Sequence, residues 1–309
     1  MMSNRLSYID TAKGILILGL CIIHIDTVCG LCKCNNNTFT LLSNVCRWTF
    51  VQFFMQFFFI ISGKFSNFNK DFKSFITSNT LSLILPGAIL YMFGDFNWFI
   101  PSMYISKIAV WGANKKQIKP IVCVVFFLTM CFVGCLINNK TFFIPNLSLY
   151  LSSPLFVYIG YWSKKIDINN KLITMMSILY SLLIGVCFLL DLDVPPKQTA
   201  TYNFGAGLFP LHLLLAISGS IMMLGIGKIT QKSSFLEYCG KNSIVIFLVH
   251  FYPLQSIMFR LRHYINDASD NTSLSLLLYA SIIIITVSFS LITTKFLTTK
   301  YTKWILGRW

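Results

Sequence analysis

Residues 8–27 read YIDTAKGILILGLCIIHIDT. From Ile15 to Ile25 the run is aliphatic apart from Gly19, Cys21 and His24, and charged residues stand on both sides of it. A hydrocarbon core is crossed by about 20 apolar residues in a helix. No small-x-small cleavage pattern precedes Cys29 and further apolar runs follow, so the segment is expected to remain as a first transmembrane helix rather than be removed as a signal peptide.

The rest of the chain repeats this pattern. Of its 309 residues 55% are hydrophobic and 11% are charged, and the mean hydropathy is +0.69. A soluble domain carries about 25% charged residues. A water-soluble fold of this length cannot hide so much apolar surface, so lipid must be the solvent. Ten apolar segments stand out, at about 12–30, 46–63, 76–94, 97–113, 119–137, 147–162, 171–190, 206–227, 243–259 and 274–297. The expected fold is an all-α integral membrane protein: one polytopic bundle of about ten transmembrane helices, with residues 1–309 as a single domain.

Charge supplies orientation. The net charge is +15, but the basic residues sit between apolar runs, which suits loops held at an anionic membrane face and not nucleic-acid binding. One side of the bundle collects nineteen of the 25 Lys and Arg; the other six are Lys33, Arg47, Lys140, Lys197, Arg260 and Arg262. The alternation persists over all ten segments, so both termini are expected in the cytoplasm; a richness in Asn, Ile, Lys and Phe hints at a bacterial chain, and so at a bacterial inner membrane. The loops are short and no inverted repeat is visible, so any chemistry must occur in the bundle or at its mouths.

Cys29, Cys32, Cys34 and Cys46 cluster around the first outer loop as CxxCxC and a gap. Without a histidine or a paired CxxC this is a weak zinc pattern; free thiols or a disulfide are the alternatives. No metal site and no bound cofactor are assigned.

Ionisable groups inside membranes are costly. Asp10 stands three residues before Lys13 and so can pair with it. Lys13 and His24 are 11 residues apart, three turns plus about 20°, so both project from one helix face, roughly 16 Å apart along the axis. That stripe should face the bundle interior. His24 reads as a general base acting near neutral pH or as a histidine bonded to a neighbouring helix; Lys13 reads as a pocket cation or a snorkelling lysine. Asp26 follows two residues on. Gln52 and Gln56 form a polar face on the second segment. Asp95 and Trp98 stand at an outer mouth, where an aromatic face and a carboxylate suit a sugar or, equally, an interfacial anchor. His250 and His212 also lie in apolar segments.

Four stretches carry a resemblance: RLSYIDTAKGILILGLCIIH at 5–24, FFMQFFFIISGKF at 53–65, WFIPSMYISK at 98–107 and LEYCGKNSIVIFLVHF at 236–251. In this order they resemble acyltransferase family 3, integral membrane acyltransferases that include bacterial O-acetyltransferases of cell-surface polysaccharides. The resemblance implies about ten helices, acetyl-CoA as co-substrate on the cytoplasmic side, and a hydroxyl of a glycan or lipid-linked saccharide as acceptor. It implies His24 as the catalytic histidine and Lys13, paired to Asp10, as its basic partner, with His250 as a secondary candidate. Where many relatives carry an arginine pair, this chain has Ser78, Asn79 and Thr80. Lys64, Lys70 and Lys73 are then the expected donor-binding cations, with Asp26, Asp95 and Trp98 on the acceptor side. The rival reading is a multi-span transporter or glycan flippase, which intramembrane Lys, Asp and His also suit.

Overall fold

The computed structural model describes residues 6–91, 98–137, 147–166, 168–190, 192 and 208–306. Every regular element among them is helical. The first part of the chain forms α1 (Ser7–Cys32), α2 (Asn37–Cys46), α3 (Phe54–Phe65), α4 (Phe72–Asn79), α5 (Leu85–Leu90) and α6 (Phe99–Lys115). There follow α7 (Pro120–Ile137), α8 (Leu147–Trp162), α9 (Asn170–Leu189) and α10 (Phe209–Thr230). The last four are α11 (Ser234–Lys241), α12 (Ser243–Val249), α13 (Phe251–Asp267) and α14 (Thr272–Leu297). A π-helical turn at Arg47–Val51 links α2 to α3, and another at Thr80–Ile84 links α4 to α5.

Seven helices among the described residues are long and apolar enough to cross a membrane: α1, α2–α3 together, α7, α9, α10, α12–α13 together, and α14. The chain is thus a multi-pass, all-helical membrane protein. The expected segments at 97–113 and 147–162 are helical too, as α6 and α8, but are shorter, with 17 and 16 residues. The described part of the segment at 76–94 is helical through α4 and α5. The second helical stretch begins at Asn37, well before the expected position 46, because Asn36 caps it. The Asn36 side chain accepts from the backbone N–H of Thr38 and of Phe39. The cysteine-rich region is therefore a tight turn between two helices: Cys29 and Cys32 end α1, Cys34 lies in the turn and Cys46 ends α2. All four are free thiols.

The chain divides into two compact units. The first comprises 1–50, 88–96 and 226–309; the second comprises 51–87 and 97–225.

In the first unit α1 is the central helix, packed by α2, α11, α12, α13 and α14. Its N-terminal half crosses α11 with almost no room between the backbones. A methyl at Gly14 would strike the carbonyl of Leu236, and one at Gly240 would strike the carbonyl of Asp10. Lipid gives apolar helices no solvent-driven reason to associate, so close backbone packing through small residues has to do it. The C-terminal half of α1 buries Ile25, Val28, Cys29 and Cys32 against Phe39, Leu254, Met258, Ile265, Tyr279 and Ile282.

Asn36 ties this end of the unit together. Besides capping α2, its amide nitrogen donates to the Ile265 carbonyl at 3.0 Å and to Ser275 Oγ at 2.8 Å. Asn36→Ala removes a cap and leaves a buried carbonyl with one bond fewer. It should cost about 2–3 kcal/mol, read as a lower melting temperature of the detergent-solubilised protein, whereas Asn37→Ala, without these bonds, should change it little.

The second unit is built around α8, packed by α3, α6 and α7. It repeats the same device. A methyl at Gly63 of α3 would strike the Val157 carbonyl, and one at Gly160 of α8 would strike the Ile60 carbonyl. The α3–α4 loop buries Phe68 against Phe75 and Tyr161.

Candidate functional site

The site begins with a break in a helix. Pro253 has no N–H to give the Val249 carbonyl and its ring crowds that carbonyl, so the helix from Ser243 is interrupted one turn earlier. The interruption falls on His250, between α12 and α13. The side chain of His250 is buried, at 2% exposure. Its Nδ1 lies 3.1 Å from the Ile246 carbonyl and 2.9 Å from the Phe247 carbonyl. Carbonyls only accept, so Nδ1 carries the proton and Nε2 carries the lone pair.

That lone pair points at α1. His250 Nε2 is 2.7 Å from Nδ1 of His24. His24 Nδ1–H is then the donor, and the His24 Nε2 is the free base of the chain of bonds; it makes no hydrogen bond among the described residues. The two rings are 16° from parallel with centroids 5.0 Å apart. With so short an N···N distance this is an in-plane N–H···N bond and not face-to-face stacking. Phe251 places an edge-on ring against His24, at 5.7 Å and 83°. A carbonyl, a neutral histidine and a second histidine in series fix one tautomer and one ring orientation. His24 Nε2 is thereby presented as a proton acceptor or nucleophile, the arrangement by which a third group orients a base.

The N-terminal half of the same helix holds a charged pair. Lys13 Nζ lies 2.7 Å from Asp10, with exposures of 15% and 2%. Asp10 supplies both this carboxylate and the carbonyl that Gly240 packs against. The YID…KG stretch and the CGKNS stretch, far apart in sequence, are thus the two sides of one crossing, and the second continues into α12 and His250.

Asp26 is brought to a partner that its sequence position does not suggest. Arg47, in the π-helical turn before α3, reaches its carboxylate at 3.1 Å and also donates to Thr27 Oγ1 at 3.1 Å. Trp98 opens α6, half-buried, with its ring edge-on to Phe99. Asp95 lies outside the described residues.

Lys64, Lys70 and Lys73 fall in the second unit, around the α3–α4 loop. Lys64 Nζ donates to the Ser163 carbonyl at 3.0 Å, while Lys70 and Lys73 are exposed. The loop is held by its own surroundings: Trp111 Nε1 donates to the Lys70 carbonyl, Lys115 to the Asn69 carbonyl and Lys164 to the Ser66 carbonyl. Partial burial, with Lys64 nearby, lowers the pKa of Lys164 below the usual lysine value. Asp71 caps α4 by accepting from the Ser74 N–H at 2.9 Å, and that bond holds its carboxyl below the usual carboxylate range.

The sequence alone brings out His24, and the break at His250 goes unread there although Pro253, three residues on, is a signal that could have placed it. The Arg47–Asp26 pair had no such signal, because nothing in spacing links the two positions.

The model of an acyltransferase domain, that of acyltransferase family 3, matches residues 97–295. No curated protein and no solved structure matches the chain. The matched range runs from the start of α6 into α14 and includes His250, more than half of the 309 residues. With seven apolar helices of membrane-crossing length and an ordered pair of histidines, this chain belongs to acyltransferase family 3 and is a membrane acyltransferase.

Proposed function

We propose that the chain moves an acetyl group from cytoplasmic acetyl-CoA to a hydroxyl of a cell-surface or lipid-linked glycan, through a bundle of about ten spans with both termini in the cytoplasm. The observation that carries this reading is the hydrogen bond from His24 Nδ1 to His250 Nε2 at 2.7 Å, which leaves Nε2 of His24 as the reacting atom. The Nε2 lone pair takes the proton of the acceptor hydroxyl as its oxygen attacks the thioester carbonyl. The tetrahedral centre collapses by breaking the C–S bond, and the proton held on His24 passes to the departing thiolate. An ester and free CoA–SH result, and His24 returns to its starting tautomer.

His250 is a positioning residue in this scheme, since it acts on the reaction through His24. The imidazolium formed on His24 keeps its Nδ1–H on a neutral acceptor that is itself anchored to two carbonyls. Lys13 supplies positive charge to the interior. Lys70 and Lys73 are exposed point charges suited to donor phosphates, with Lys64 beside them. Asp26, Asp95 and Trp98 are the acceptor-side candidates in this reading.

The test of the reading is transfer itself. The protein, in membranes of a host that makes surface polysaccharide, is given acetyl-CoA carrying a labelled acetyl group. Label in the glycan fraction, dependent on the protein, supports the proposal. Label released only as acetate, or retained wholly on CoA, with well-inserted protein and a range of glycan acceptors, sinks it.

A second expectation concerns His250. His250→Ala leaves His24 free to hold its proton on either nitrogen, so turnover should fall by about 10²-fold with the KM for acetyl-CoA little changed. His250→Gln keeps an oxygen able to accept from His24 Nδ1 and should recover part of the loss. Equal loss in both variants, or a loss confined to KM, would show that His250 does not set the His24 tautomer.

A further inference from the structure

Lys107 lies in the interior of α6, eight residues before that helix ends at Lys115, which is about 12 Å along the axis. Its ammonium donates to Asn79 Oδ1 at 3.1 Å. Asn79 is buried, at 7% exposure, and its own amide nitrogen donates to the Phe75 carbonyl at 2.8 Å. That bond fixes the side-chain orientation and turns the amide oxygen towards the lysine. One residue on, the helix opens into the π-helical turn Thr80–Ile84, where Thr80 Oγ1 meets the Tyr104 hydroxyl at 3.0 Å. Lys107 and Tyr104 are one turn apart on α6, so Asn79–Lys107 and Thr80–Tyr104 are two rungs of one contact. π-helical turns recur at functional sites because they displace the backbone of a single turn.

A full charge within an apolar helix is costly unless it is paired, and a neutral amide does not pair it. No carboxylate among the described residues lies within ion-pair distance of Lys107. Within its unit the described residues include lysines at 64, 70, 73, 107, 115, 116, 119, 164, 165 and 171, and one carboxylate, Asp71. Asp71 is exposed and occupied as the cap of α4, two turns before Asn79. None of the unit's described residues supplies a counter-charge for Lys107, which leaves its ammonium able to take a bound anion.

We propose that Lys107, steered by Asn79, binds a phosphate-ester anion, and that this anion belongs to the diphosphate of the acyl-CoA donor. The proposal rests on the acyl-CoA reading above and adds to it a specific contact. The α3–α4 loop lysines meet the nucleotide end of the donor near the membrane surface, while Lys107 stands deeper along α6 and holds the diphosphate from which the pantetheine arm departs. A compact ammonium suits this role, since it binds phosphate as a point charge without demanding the planar geometry of a guanidinium. The same chemistry would recognise a phospholipid headgroup, and the experiment separates the two sources.

Binding of CoA and of acetyl-pantetheine, which lacks the diphosphate and nucleotide, is measured on purified protein in zwitterionic nanodiscs. The proteins compared are wild type, Lys107→Gln and Lys107→Arg, each with its melting temperature. The expected result has two opposite signs. Lys107→Gln weakens CoA binding roughly 10- to 100-fold and leaves acetyl-pantetheine binding unchanged, yet raises the melting temperature of the ligand-free protein, because an uncompensated charge has been removed from the bundle. Lys107→Arg keeps CoA affinity within a few-fold of wild type. A lowered melting temperature with both ligands weakened equally would mean that Lys107 is a structural tie to Asn79, and the proposal fails. Unchanged CoA affinity in Lys107→Gln also overturns it while leaving the acyl-CoA reading intact. If Lys107→Gln instead abolishes stabilisation by added phosphatidylglycerol with CoA affinity intact, the phosphate is a lipid headgroup and the donor assignment is wrong. Wild-type protein that does not bind CoA at all removes the acyl-CoA reading and this assignment together.

Discussion

His24→Ala should lower acyl-transfer turnover by about 10²–10⁴-fold, the range for loss of a positioned general base, while the protein remains in the membrane at normal abundance. The structure gives reasons for both halves of this expectation. His24 is half-buried, and among the described residues its one side-chain hydrogen bond is to His250, whose own anchors to Ile246 and Phe247 survive the substitution. The wall behind it, Ile25, Val28 and their partners on α13 and α14, is also untouched. The measurement is label transfer per inserted molecule, with insertion read by size-exclusion profile. His24→Gln is the stricter variant, since it nearly preserves volume and can still donate to His250 but presents no base. If His24→Gln transfers acetyl at the wild-type rate, the catalytic assignment is wrong.

Gly240→Val should have the opposite signature: little folded protein, and activity lost in proportion to protein. A side chain at Gly240 collides with the Asp10 backbone carbonyl, and the facing Gly14 is as tightly set against the Leu236 carbonyl. Neither obstacle is the end of a flexible side chain, so α1 and α11 must separate. Overpacking of a closely fitted core costs about 1–3 kcal/mol, and two backbones with no slack between them should reach the top of that range or exceed it. Separation would also displace Asp10 and Lys13 and alter the approach of α12 to α1. The control is Gly30→Ala on the same α1, where an added methyl meets nothing within 4 Å. There the gain in helix propensity, about 1 kcal/mol at most, should leave stability unchanged or slightly raised. A folded, monodisperse Gly240→Val protein would mean that the crossing tolerates separation and does not hold the two ends of the chain together.

The sequence by itself determined the solvent and the elements. Long apolar runs admit only helices in lipid, because each backbone polar group must be satisfied within its own segment. Helices at 12–30, 119–137, 171–190 and 274–297 were therefore legible from hydropathy alone and recur as α1, α7, α9 and α14. Their ends were less legible. The early start of α2 depends on the side chain of Asn36, and the extension of the ninth segment to Asp267 on a polar continuation that hydropathy does not register. Lys13 and Asp10 were legible as a pair because a three-residue spacing places them on adjacent turns of one helix.

The rest was decided by which helices touch. His24 and His250 are 226 residues apart, and neither has a spacing that names the other. Their 2.7 Å bond exists because Gly14 and Gly240 let α1 and α11 close to backbone contact while Pro253 breaks the helix that follows at His250. The tautomer of His24, and with it which nitrogen is free to react, depends in turn on the carbonyls of Ile246 and Phe247. Asp26 met Arg47 and Lys107 met Asn79 for the same reason. Periodicity within a helix tells which residues share a face, but the neighbour that face meets is set by close packing between helices, and that is a property of the folded bundle alone.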